Sequence, residues 1–255
     1  MTAIAAIAHD TALVLSRELR PLRRDPFSVI FTMVQPLVFL GLFGPLLDQV
    51  VAVEGGGTLQ WFVPGIVVMS ALFGSSTTGA NLQQELVTGS YERLLVTPLH
   101  RSALLIGRAL KEIVPVIFQA TIIVAATIPF GFRLDLGGAV AGLAIVATFA
   151  VGLGSLSHAL ALATRQNEWM FWAVQQTVLF PLLLLSGILL PIDGGPAWLR
   201  QLSSLNPLTY VVDAERVAFA GDVASGAVVA GAVAALVMLA AGLAVGLSAV
   251  RRDAV

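Results

Sequence analysis

Six stretches of this chain run for 20 residues or more without a single Asp, Glu, Lys or Arg: 26–47, 55–84, 113–132, 136–164, 169–192 and 223–250. A helix needs about 20 mainly apolar residues to cross roughly 30 Å of hydrocarbon, and each stretch is long enough. Hydrocarbon cannot hydrogen-bond a peptide group, so a crossing segment is either a helix or a strand of a closed barrel. Barrel strands alternate apolar and polar residues; the run LFPLLLLSGILL at 179–190 does not. The expectation is an all-α membrane protein, one transmembrane domain over 1–255, with six spans at 26–47, 61–84, 106–131, 137–163, 169–190 and 223–250.

Composition excludes other classes. Charged residues make up 11% of the chain and hydrophobic residues 57%, where a soluble domain carries about a quarter charged. A formal charge of −1 lacks the basic excess of a nucleic-acid binder, so no nucleic-acid partner is expected. With no cysteine, disulfides, thiolate metal sites and cysteine nucleophiles are impossible. No HExxH, GxSxG or GxGxxG occurs, and the single lysine, Lys111, follows Leu110, so no phosphate-binding GxxxxGK[ST] loop is present. No catalytic, cofactor-binding or metal-binding residue is expected, and the energy for any transport must come from another subunit.

Lys and Arg accumulate on the cytoplasmic side of membrane proteins. Here Arg17, Arg20, Arg23 and Arg24 precede the first span. Arg93, Arg101, Arg108 and Lys111 follow the second, Arg165 follows the fourth, and Arg251 and Arg252 end the chain. The other side holds only Arg133, Arg200 and Arg216. Both termini are therefore predicted to be cytoplasmic. The N-terminus lacks a basic n-region and is not read as a cleaved signal. Over 10–25, Leu15, Leu19 and Leu22 oppose Ser16, Arg17, Arg20, Arg23 and Arg24 on a helical wheel, the pattern of a helix lying in the membrane interface. Pro21 weighs against an unbroken helix there.

Two connections are more than passive. On the cytoplasmic side, 85–102 is punctuated by Gly89 and Ser90. Tyr91 to Val96 then form a short amphipathic stretch that Pro98 ends. Such a helix presents Glu92, Arg93 and Arg101 to a soluble partner, or the segment is a solvated loop whose charges set topology. On the outer side, 191–220 is broken by Pro191, Gly194, Gly195 and Pro196 and again by Asn206 and Pro207. Its pieces are too short to cross and too apolar to float, which points to re-entrant or interfacial helices with Trp198 and Tyr210 at headgroup depth, and to an outer gate. Gln35, Gln119, Gln175 and Gln176 are the candidate path-lining or helix-bridging polar groups within spans. His158 reads as a packed histidine, and Lys111 and Glu112 as groups able to reach the interface.

The segment ELVTGSYERLLVTPLHR (85–101) and the later LLSGILLPI (184–192) and NPLTY (206–210), set in six spans behind a basic amphipathic helix, resemble the permease subunits of ABC type 2 exporters, of the daunorubicin-resistance kind. Residues 85–98 are similar to that family's E-x-x-x-G-[ST]-x-E-x-L-x-x-[ST]-P pattern. The later residues are similar to its SG-x-x-x-P and NP-x-x-Y pair. The resemblance spans essentially the whole chain. It implies a prokaryotic inner-membrane protein that works with two copies of a separate ATPase, which bind ATP and magnesium, and with a second permease, either a copy of itself or a sister chain. It makes 10–25 an elbow helix. Gly89, Tyr91, Glu92, Arg93, Leu94, Pro98 and Arg101 become the coupling helix that seats in the ATPase, and Arg165 and Glu168 a minor second contact. The short link at 48–58 departs from relatives with a large extracellular domain. The implied function is ATP-driven export of an amphipathic drug-like or lipid-like solute from the inner leaflet. The alternative is export of polysaccharide or lipid-linked glycan; the low aromatic share of 7% tilts toward apolar cargo. A membrane scaffold or intramembrane enzyme ranks lower, since His158 is alone among span residues of that chemistry.

Overall fold

The computed structural model describes residues 3–24, 33–50, 57–95, 100–192 and 194–252. Among them every regular element is helical. The elements are α1 (Ala3–Arg24), α2 (Val34–Val50), α3 (Thr58–Val87), α4 (Ser90–Leu95), α5 (Arg101–Lys111), α6 (Ile113–Thr127), a 3-10 turn at Ile128–Phe130, α7 (Leu136–Ala163), α8 (Glu168–Leu184), α9 (Ala197–Ser204), α10 (Pro207–Phe219) and α11 (Gly226–Arg252).

Among the described residues, four helices are long and apolar enough to cross a membrane: Thr58–Val87, Ser102–Phe130, Leu136–Ala163 and Gly226–Arg252. The second joins α5 and α6 through Glu112. It therefore begins well before the charge-free stretch does, with charged residues in its first turns. α2 and α8 are 17 residues each, about 26 Å at 1.5 Å per residue. α1 runs through Pro21 to Arg24 rather than ending there.

Lipid is as apolar as leucine, so helices gain little by hiding leucine from it and associate instead where small residues let backbones touch. α3 and α7 are the most enclosed spans, and α11 and the α5–α6 span face outward over most of their surface. α7 crosses α11 at Gly152 and Gly242. A Cβ on Gly152 would sit 2.6 Å from the Met238 backbone, and one on Gly242 would strike the Gly152 carbonyl. Gly79 of α3 is pressed against Ser157 of α7 and Phe171 of α8 in the same way. Around these crossings Phe62, Ile66, Met69, Phe149 and Phe219 fill the core.

Beyond α8 the chain turns back on itself. Gly187, at φ +72°, makes the reversal; positive φ is nearly free for glycine and strained for other residues. Ile188 is thereby buried against Gly65 of α3. The last carbonyls of α8 lack helical partners. Asn206 Nδ2 donates to the Leu182 carbonyl at 2.8 Å and Thr209 Oγ1 to that of Leu185 at 3.1 Å. Asn206 Oδ1 also accepts from Leu208 N–H at 3.0 Å, capping α10, while Tyr210 O–H reaches the Ser204 carbonyl at 2.7 Å. The spacing of NPLTY thus seals one helix end and opens the next.

Candidate functional site

The 85–98 motif lies at the end of the bundle opposite α9 and α10. α3 stops because Gly89 takes φ +67°, donating to the Leu86 carbonyl at 3.3 Å after Thr88 has closed on Gln84. This left-handed glycine ends the helix and releases α4 at once. On α4, Arg93 is exposed, whereas Tyr91 and Leu94 point into the protein. Tyr91 packs in a cluster with Leu82, Leu105, Leu162, Phe171 and Val250, which belong to α3, α5, α7, α8 and α11. Leu94 packs with Val14 of α1 and Leu104 of α5. Through these two residues one turn of helix joins clusters to which six other helices contribute. The backbones of Glu92 and Arg101 are helical, but their side chains fall outside the described residues, as does all of Pro98. Tyr91 and Leu94, expected as part of the coupling helix, anchor α4 to its own chain; a six-residue amphipathic helix turns its apolar side inward.

A charge network stands behind α4. The Arg108 side chain on α5, 4% exposed, pairs with Glu85 at the end of α3 and, through Nε at 3.4 Å, with Glu18 of α1. Lys111 Nζ meets the other Glu18 oxygen at 3.2 Å. The Arg108 guanidinium lies 5.8 Å from the centre of the Tyr91 ring, within cation–π reach. Lys111 and Glu112 are thus buried, not extended to the interface. Glu112 accepts from Thr78 Oγ1 at 2.6 Å, and Gln83 closes the end of α7 by donating to the Ala161 carbonyl at 3.0 Å.

α1 lies along α5, held by Val14, the Thr11 backbone and Glu18. Val14 is buried and sits on Gly107, where a Cβ would come within 2.8 Å of it, while Leu15 and Leu19 are half-buried. The Asp10 carboxylate accepts from His100 N–H at 3.0 Å and meets His100 Nδ1 at 2.7 Å, which ties the first part of α1 to the cap of α5. Those contacts, the backbone N–H first, hold the Asp10 carboxyl below the usual range. Arg17 and Arg20 point outward; the side chains of Arg23 and Arg24 fall outside the described residues.

The remaining expected residues scatter. Arg165 is exposed on the link before α8 and Glu168 in the first turn of α8, whose N-cap Asn167 accepts from Met170 N–H at 3.2 Å. Gln119 is buried beside Gly74 of α3, and Gln175 is buried with Ser157 Oγ at 3.3 Å, so both join helices. Gln35 and Gln176 are exposed on α2 and α8. At the far end, Pro191 and Trp198 are exposed, Asn206 is buried, Pro207 opens α10 and Tyr210 is partly covered. Of these, Pro191 and Tyr210 border a cleft of about 240 Å³ that Trp61 and Arg216 also line. Arg216 stands 4.1 Å over the Trp61 ring and donates to the Trp61 carbonyl at 3.1 Å and that of Gly187 at 2.7 Å.

In the sequence Arg108 counts as a topology charge and Lys111 as that and a group able to reach the interface, while Glu18 and Glu215 have no assigned role. A usable signal for the network was there: Arg108 and Lys111 are three apart, on one helix face beside Gly107. Glu215 gave none. It is fully buried in α10 against Gly142 and Phe219, and neither of its oxygens has a hydrogen-bond partner among the described residues. An unpartnered buried polar group costs about 1–3 kcal/mol. Glu215→Met, of similar volume, is therefore expected to raise the detergent unfolding midpoint; a lower midpoint would show that the carboxyl is held by a contact not accounted for.

Residues 9–220 match the family described as ABC-2 type transporter. The chain belongs to that family. This permease is 25% identical over 83% of its length to a daunorubicin resistance ABC transporter permease of Streptomyces coeruleorubidus, covering 75% of that protein. It is 30% identical over 80% of its length to a putative transport permease of Cyanophora paradoxa, covering 72% of it. It is also 25% identical over 81% of its length to a probable doxorubicin resistance ABC transporter permease of Mycobacterium tuberculosis, covering 75% of it. The permease is a multi-pass membrane protein and the transmembrane subunit of an ABC transporter, and its partner is an ABC ATPase.

Proposed function

We propose that this permease exports amphipathic, drug-like or lipid-like solutes across the prokaryotic inner membrane, driven by two ATPase subunits seated against α4. The observation that carries this is the two-sidedness of α4: Arg93 outward, Tyr91 and Leu94 inward, in clusters to which six other helices contribute. A partner shifts an equilibrium only by binding the two states differently. A tilt of α4 moves the Tyr91 cluster and the Arg108 network together, so the ATPase's preference is felt by α1 and the spans alike. In this reading α2 and α8 complete six spans, both termini are cytoplasmic, and α1 is the elbow helix in the interface. Arg165 and Glu168 make the minor second contact. α9 and α10, re-entrant from the outer leaflet, form the gate around Pro191, Trp198, Asn206, Pro207 and Tyr210. A second permease, a copy of this chain or a sister, completes the path, which the exposed Gln35 and Gln176 face, while Gln119 and Gln175 hold helices together. ATP and magnesium are bound by the ATPase and not by this chain.

The drug-resistance permeases among the relatives support an anthracycline-like test cargo. In vesicles carrying both subunits, such a cargo is expected to stimulate ATP hydrolysis and to accumulate in the vesicles that present the ATPase outward. An ATPase rate indifferent to every amphipathic solute tried would refute export of this class.

A further inference from the structure

We propose that the α4 end of α11 is a binding site for an anionic glycerophospholipid, its phosphate held by Arg251 and Arg252 and its two acyl chains laid in two adjoining grooves. The first groove, about 610 Å³, runs between α7 and α11 and is walled by Leu156, Leu160, Ala163, Val245 and Ala249. The second, about 420 Å³, lies on the adjoining face of α11 against Ala244 and Leu247. Both end at Ser248 and Arg252. Arg251 and Arg252 are exposed, and among the described residues no carboxylate pairs with either.

Three features single out this occupant. The walls are aliphatic, with alanines where bulk would close the first groove, so they accept hydrocarbon. Two grooves that meet at one point match a ligand with two chains and one head, which a fatty acid or a single-chain cargo lacks. The meeting point carries two guanidinium groups, whose planar donors suit phosphate, and basic clefts between membrane helices favour anionic headgroups. The arginines also outweigh the partial negative charge at the end of α11. Only the leaflet depends on the proposed orientation, which makes it the inner one.

The test uses the permease with its ATPase in nanodiscs of phosphatidylcholine with admixed phosphatidylglycerol, followed by detergent extraction and mass spectrometry of the lipid that stays bound. Two arginines near the headgroup plane predict retention of phosphatidylglycerol on the order of tenfold above its share of the bilayer. The R251Q/R252Q double variant should lose that preference. Ala163→Trp, which fills the first groove without touching charge, should lower the amount of lipid retained. Equal retained ratios in the parent and the R251Q/R252Q variant overturn the proposal. So does loss of the ATPase from R251Q/R252Q with the lipid ratio unchanged, because the arginines would then serve the partner. Nanodiscs present the same lipid on both faces, and the readout requires no transport. A failure here is therefore distinct from a failure of the export reading.

Discussion

Arg108→Leu is expected to lower the stability of the permease by about 3–5 kcal/mol, the usual cost of removing one partner from a buried ionic cluster. Glu18 and Glu85 are only 11% and 25% exposed, so each would keep a charge with little water to receive it. Lys111 still neutralises part of Glu18, but among the described residues nothing replaces Arg108 at Glu85. The measurable result is a large fall in the unfolding midpoint, together with release of α1 from the bundle, read as new protease sensitivity around Arg17 and Arg20. The combined variant Glu18→Gln, Glu85→Gln, Arg108→Leu should recover much of the midpoint, because removing all charges together leaves none stranded. It should not recover cargo-stimulated ATP hydrolysis, since the Arg108 contact with the Tyr91 ring is gone as well. Recovery of both would reduce the cluster to a packing device.

Tyr91→Ala carries the second large effect. Truncating a buried aromatic ring to alanine typically costs about 3–5 kcal/mol. Here the loss falls at a joint, because the ring is where α4 meets Leu82, Leu105, Phe171 and Val250. Membrane insertion depends on the spans and is expected to stay intact. Coupling free energies between sites run at about 1–3 kcal/mol, or roughly 5–150-fold, so losing this contact predicts a drop in cargo stimulation of about tenfold or more. Tyr91→Phe, which keeps the ring, should retain most of the stimulation. Equal behaviour of the Phe and Ala variants would show that α4 works through its outward face alone.

The long helices were legible because the membrane demands only length and an absence of charge, and residues 58–84, 136–163 and 226–250 meet both. The span expected at 106–131 already holds Arg108, Lys111 and Glu112, but how they are accommodated was not legible, because charge within a span is tolerated only against partners on other segments. Those partners are distant in sequence: Lys111 and Glu18 are 93 residues apart and Arg108 and Glu85 are 23 apart. No local pattern reveals such pairs. The 85–98 motif announced α4 correctly as a distinct unit, and Gly89 is where a glycine is required, but the spacing alone did not tell which side of α4 faces in. That Tyr91 and Leu94 are its buried side depends on residues as distant as Val14, Phe171 and Val250. Asn206, expected at an outer gate, also holds the end of α8, a structural duty invisible without the fold.

The absence of cysteine allows the claim that α4 is the seat of the ATPase to be tested directly. A single Arg93→Cys permease, copurified with its ATPase and treated with a short bifunctional crosslinker, is predicted to give a permease–ATPase adduct whose yield changes with bound nucleotide. Trp198→Cys, at the opposite end of the bundle, is predicted to give none. Adducts from Trp198→Cys, or none from Arg93→Cys while the two subunits copurify, would place the ATPase elsewhere and contradict the account.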